Sequence, residues 1–105
     1  MKPRYVHLGI NPVGAVAHLP NAQWPANFLR HLEFYLAMFV GDWYRYGAQN
    51  YMLWTSADLA EMTKGIMRLP GFQNVYVLAT EVADPYVAVN GWMPPQFWSW
   101  LHKPR

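Results

Sequence analysis

The chain has 105 residues, of which 53% are apolar and only 13% charged, with no cysteine and a net charge of +2. That composition excludes intrinsic disorder, a disulfide scaffold, thiolate metal centres and cysteine catalysis. One domain spanning 1–105 is expected, burying roughly two-thirds of the extended chain's surface.

Tyr5 to Ile10 alternates and carries β-branched residues, which predicts a first strand. Asn11-Pro12 signals a turn, Val13 to Leu19 a second short strand or an irregular arm, and Pro20 to Pro25 a loop. From Ala26 to Val40, Phe28, Leu32, Tyr35, Leu36 and Phe39 recur at helical steps. Pro25 suits the first turn of that helix and Gly41 its stop. Trp43 to Tyr46 supplies a thin second strand, and Gln49 to Trp54 a third.

Thr55 or Ser56 can cap a helix beginning near Ala57. Asp58 and Glu61 come early in it, Lys64 and Arg68 late, as the helix dipole favours. Leu59, Met62, Ile66 and Met67 form its apolar face, and Leu69-Pro70-Gly71 ends it. Asn74 to Val82 reads as a long strand and Tyr86 to Val89 as a short one between turns at Asp84-Pro85 and Asn90-Gly91. Pro94-Pro95 starts a short helix carrying Phe97, Trp98, Trp100 and Leu101.

This order predicts an α+β fold: a ferredoxin-like βαββαβ sheet, two helices on one face, and an aromatic C-terminal extension. Strand, helix and strand from Gln49 to Val82 are expected to form a parallel crossover. Alternation sends Val6, Leu8 and Ile10 towards the helices, with Met52, Trp54, Val75, Val77 and Ala79. It sends Tyr5, His7, Tyr51, Leu53, Tyr76 and Leu78 to the open face. That face is too apolar for water. The C-terminal aromatics, a second copy, or a flat ligand such as a nucleic-acid base would cover it.

Sites of chemistry are sparse. The four histidines, His7, His18, His31 and His102, have no metal-ligand spacing. His7 draws notice because it is placed beside tyrosines. Asp58 and Glu61 suit a first helical turn, and Asp84 suits a turn before proline. There is no nucleophile elbow, and Gly9 to Gly14 matches neither phosphate-binding fingerprint. Arg45-Tyr46-Gly47-Ala48 resembles the start of the aromatic strand motif of RNA-recognition modules, but Gln49, Asn50 and Tyr51 do not continue it. The same stretch resembles small ferredoxin-like nucleases of CRISPR adaptation. Those carry an aspartate at the end of the first strand, where Ile10-Asn11 stands here, and the family is not assigned.

Aromatic residues make up 17% of the chain. With so few charges, some rings must lie at the surface, where they meet a partner. The expectation is a small interaction or regulatory module, homodimeric or bound to a protein partner. Tyr5, His7, Tyr51, Tyr76, Trp92, Trp98 and Trp100 are its candidate surface. One alternative is a single-stranded nucleic-acid binder using the same face, with Lys2, Arg4, Arg45 and Arg68 as phosphate contacts. The other is a small dimeric α+β-barrel enzyme or ligand binder lined by His7, Tyr51 and Tyr76. No cofactor or metal is implied, and the absence of an activated nucleophile leans against an enzyme. Lys103 and Arg105 read as solubilising charges. No stretch is apolar and long enough to span a membrane, and His7, Asn11 and Pro12 interrupt any signal-peptide pattern, so a cytoplasmic setting is expected.

Overall fold

A computed structural model describes residues 2–11, 24–47, 50–69, 72, 75–86 and 89–105, with side chains in the first helix described from Leu29 onward. Among these residues seven elements follow one another: β1 (Arg4–Asn11), α1 (Trp24–Leu36), β2 (Val40–Tyr46), β3 (Asn50–Thr55), α2 (Leu59–Met67), β4 (Tyr76–Val82) and α3 (Pro95–Leu101). They form an α+β fold of one four-stranded antiparallel sheet and three helices. The order departs from a bare βαββαβ unit by the appended α3.

The strands lie in the order β2-β3-β1-β4. β1 pairs antiparallel with β3 on one side, Val6 opposite Leu53, and with β4 on the other, Val6 opposite Glu81. β2 pairs antiparallel with β3, with an irregularity between Val40 and Asp42. The expected crossover between β3 and β4 therefore does not join neighbours. Both strands run antiparallel to β1, which separates them. β1 is thus paired along both edges, and its alternation sets Val6, Leu8 and Ile10 on one face of the sheet.

One face of the sheet holds the main core. Val6, Leu8 and Ile10 of β1 and Tyr51 and Leu53 of β3 pack with Leu29, Leu32 and Leu36 of α1 and Met62 and Ile66 of α2. Val75, Val77 and Ala79 join them, as the alternation predicts. Fully burying each large aliphatic side chain contributes about 1.5–3 kcal/mol. The two helices approach closely where α2 carries Gly65: a Cβ there would lie 1.6 Å from the Tyr35 hydroxyl of α1.

The opposite face is covered in part by α3. Its Phe97 and Leu101 are buried against Tyr5 and Met52, with Tyr44, Tyr46, Trp54 and Val82 around them. The expected facing of β3 is thereby reversed: Tyr51 and Leu53 point to α1 and α2, Met52 and Trp54 to α3. The run Tyr51-Met52-Leu53-Trp54 is apolar at every position, so no alternation marks which side is which.

Three boundaries also differ. α1 ends at Leu36, not Val40, and a turn through Ala37–Phe39 leads into β2. Val40 pairs with Thr55 and is buried in the core, so tertiary packing outweighs the continuing helical pattern. Gly41 is consequently a strand residue and not a helix stop. The cap of α2 is Asp58, whose carboxylate accepts from the Glu61 amide at 3.0 Å. Thr55 has a different task. Buried beneath the turn, its hydroxyl donates to the Phe39 carbonyl and accepts from the Ala57 amide. Tyr86 lies in a turn, while Val13 to Leu19 and residues 87 and 88 lie outside the described residues.

Candidate functional site

The α3 face divides into a packed half and an open strip. In the packed half, three segments far apart in sequence build a pocket around one cation. Tyr5 of β1 and Trp54 of β3 have ring centroids 4.9 Å apart, and Trp100 of α3 stands 5.7 Å from Tyr5 at 66°. The guanidinium carbon of Arg105 lies 4.9 Å from the Trp100 centroid, 5.2 Å from Trp54 and 5.6 Å from Tyr5. Negative ring faces attract a cation, by about 0.5–2 kcal/mol per contact according to solvation.

Hydrogen bonds fix the orientation of that guanidinium. Its Nε donates to the Tyr5 hydroxyl at 2.9 Å. One terminal nitrogen donates to Asp42 Oδ2 at 3.2 Å and the other to the Trp100 carbonyl at 3.2 Å. Asp42 Oδ2 also accepts from Trp100 Nε1 at 2.9 Å and from Lys103 Nζ at 3.4 Å. Tyr5 in turn donates its hydroxyl proton to the Leu101 carbonyl. The Arg105 side chain is left only 11% exposed. Partial burial raises the Asp42 pKa, but the hydrogen bonds from Trp100, Arg105 and Lys103 and the Lys103 charge outweigh it, holding the carboxyl below its ordinary value.

The open strip runs along β4. Tyr76 and Leu78, two residues apart on one side of the strand, are 71% and 67% exposed. They border a depression of about 220 Å³ lined also by Gly9, Ile10 and Asn50. His7 lies on the same side of β1, half-buried, its ring 5.8 Å from that of Tyr46. Burial lowers its pKa. β4 is an outer strand, and among the described residues no further strand pairs with it.

The seven candidate residues are thus spread over five environments. Tyr5 and Trp100 are walls of the Arg105 pocket. Trp98 is half-buried against Phe97, its ring 5.9 Å from that of His102. His7 and Tyr76 belong to the β1–β4 side, and Trp92 is 99% exposed before α3. Tyr51 is on the other face altogether, 0% exposed, and donates to Glu33 of α1 at 2.8 Å. Burial and the Glu33 carboxylate push its pKa far up, so it stays a neutral donor in the core. His7, Tyr51 and Tyr76 therefore do not line one cavity. Among the described residues no three histidine or carboxylate side chains come together as a metal site. None of the helices among those residues is long and apolar enough to cross a membrane.

Asp42, Trp54 and Arg105 escape the sequence reading. Asp42 carries a signal, being a lone acid ahead of Trp43-Tyr44-Arg45-Tyr46. Trp100 is five residues from Arg105, but nothing local marks its other partners, Asp42 and Tyr5, which lie 63 and 100 residues away. Lys103 and Arg105 are structural partners of Asp42 as well as charges. The chain matches no protein-family model, no curated protein and no solved structure.

Proposed function

We propose that this chain is a protein-interaction module that self-associates as a homodimer through the strip of sheet that α3 leaves uncovered on β4. The observation that carries the reading is the exposure of Tyr76 and Leu78 together on an outer strand. An outer strand presents unpaired amide and carbonyl groups, and a two-fold axis lets the same strand of a second copy satisfy them. Tyr76 and Leu78 would then pack across the axis beside the depression next to them. The finer fold name, ferredoxin-like, belongs to the same proposal. It is supported by two helices on one face of an antiparallel sheet in which β1 separates β3 from β4.

Absolute mass by size-exclusion chromatography with light scattering tests the reading. The expected result is twice the chain mass, persisting on dilution to the micromolar range. Leu78→Asp and Tyr76→Ala are expected to weaken association by about 2 kcal/mol or more, roughly 30-fold in the dissociation constant. A wild-type monomer at all concentrations would overturn it.

The nucleic-acid reading has less support. Phosphate contact needs unengaged cations near the strip. Arg4 donates to the carbonyls of Thr55 and Ala57 and stands 3.9 Å from Glu81, while Arg45 pairs with Glu33 at 3.2 Å. Quenching of tryptophan fluorescence by a single-stranded oligonucleotide at low salt would revive it.

A further inference from the structure

We propose that Asn90 is a self-modifying site: the backbone nitrogen of Gly91 attacks its side-chain amide, and the chain acquires aspartate or isoaspartate beside Trp92.

The reaction needs a following amide that reaches the side-chain carbonyl without obstruction. Of the six asparagines, only Asn90 precedes a glycine, which has no Cβ to crowd the attacking nitrogen. The fold adds the geometry. The Gly91 nitrogen lies 2.8 Å from Asn90 Oδ1, so the attacking atom is already beside the carbonyl it attacks. Holding reacting groups together in this way removes much of the entropic barrier. Gly91 has φ of 153°, a conformation that favours glycine, and nothing lies within 4 Å of where a Cβ would stand. Both residues are exposed and lie in no helix or strand, so water reaches them and ring closure breaks no ladder bond.

Other asparagines are held differently. Asn50 lies in β3, paired with Gly9 and Tyr46, and the residue after it, Tyr51, is fully buried. Asn11 precedes Pro12, whose nitrogen has no proton to give up.

The chemistry needs only water. A bond forms between the Gly91 nitrogen and Asn90 Cγ, and the bond from Cγ to the side-chain nitrogen breaks. The Gly91 proton leaves with that nitrogen as ammonia. Water then opens the cyclic imide on one side or the other. Cleavage at Cγ gives aspartate. Cleavage at the Asn90 main-chain carbonyl gives isoaspartate, and the backbone then runs through Cβ and Cγ. Because the attacking nitrogen must lose its proton, base accelerates the reaction.

The products alter a defined segment. Val89 and Met93 both pack against the cluster of Phe97 and Leu101, so Asn90, Gly91 and Trp92 span two anchored points. Trp92, 99% exposed, is the side chain this span presents. Aspartate sets a carboxylate next to it, and isoaspartate lengthens the span by one backbone carbon. The site shares no residue with the β4 strip, so either outcome leaves the homodimer reading to its own experiment.

The test incubates the full chain at neutral and mildly alkaline pH and follows each asparagine by peptide mapping with mass spectrometry. An isoaspartyl methyltransferase counts isoaspartate. Product is expected first at Asn90, roughly tenfold or more faster than at Asn50, and faster at the higher pH. Gly91→Ala should slow it roughly tenfold or more, and Asn90→Gln, which requires a larger ring, should abolish the fast phase of ammonia release. The folded chain should react at least as fast as the same chain in guanidinium chloride. Loss of the amide at Asn90 no faster than at Asn50, or ammonia release unchanged in Asn90→Gln, would overturn the site. A folded chain slower than the unfolded one would overturn the claim that the fold aligns the attacking nitrogen.

Discussion

His7 and Asp42 sit on the same side of the sheet and give the protein two separate responses to acid. Burial depresses the pKa of His7 below 6.5, so the folded state disfavours its charged form. Below that value the unfolded chain binds more protons than the folded one, and stability falls as pH drops from about 7 towards 5. Asp42 acts lower down. Its folded pKa lies below 3.8, because hydrogen bonds from Trp100, Arg105 and Lys103 overcome the opposing effect of burial. Its contribution is complete above its unfolded value and is lost as pH falls through the folded one. The expected outcome for His7→Gln is a flat stability between pH 7 and pH 5, measured by urea unfolding, with the loss below about pH 4 retained. A wild-type slope surviving in His7→Gln would place the titration elsewhere. These assignments were only half legible in the sequence. His7 stands out beside tyrosines on an alternating strand, whereas Asp42 matters through a helix nearly sixty residues later.

At the scale of elements, local signals succeed where the surroundings agree with them. β1 alternates and is a strand with the expected facing; α3 begins at the expected prolines. α2 follows its charge order, with Glu61 early and Lys64 late, but takes its cap from Asp58 instead of Thr55 or Ser56. Thr55 is drawn away because its hydroxyl is already bound to the Phe39 carbonyl and the Ala57 amide. Asp58→Ala should therefore destabilise the protein by about 1 kcal/mol, seen as a shift in the urea midpoint. Ser56→Ala should change it by a few tenths at most, since Ser56 is exposed and does not cap the helix. Equal losses in the two variants would return the cap to the earlier position. α1 fails its local signal at the other end, where its last apolar residues are claimed by a turn and by β2.

For the molecule as a whole, the deciding feature is that the sheet has two apolar faces and only one is covered by α1 and α2. Phe97 and Leu101 close much of the other, and the aromatic rings around them are what keep α3 in place. Phe97→Ala should cost about 3–5 kcal/mol and increase the exposure of Trp98 and Trp100, read as a red shift of tryptophan emission together with a lower urea midpoint. A stability loss without that shift would mean that α3 stays docked and that Phe97 acts by filling volume alone. The sequence by itself determined the α+β class, the alternation and facing of β1 and β4, and the presence of a short aromatic helix beginning at Pro95. Each rests on neighbours within one or two turns of chain, where side-chain period and backbone preference act directly. Only the tertiary structure decided which side of β3 faces which helices, where α1 stops, and that Arg105 closes a pocket of three rings. Those outcomes depend on groups brought together over tens of residues, and a strand apolar on both sides carries no local mark of the face it will bury.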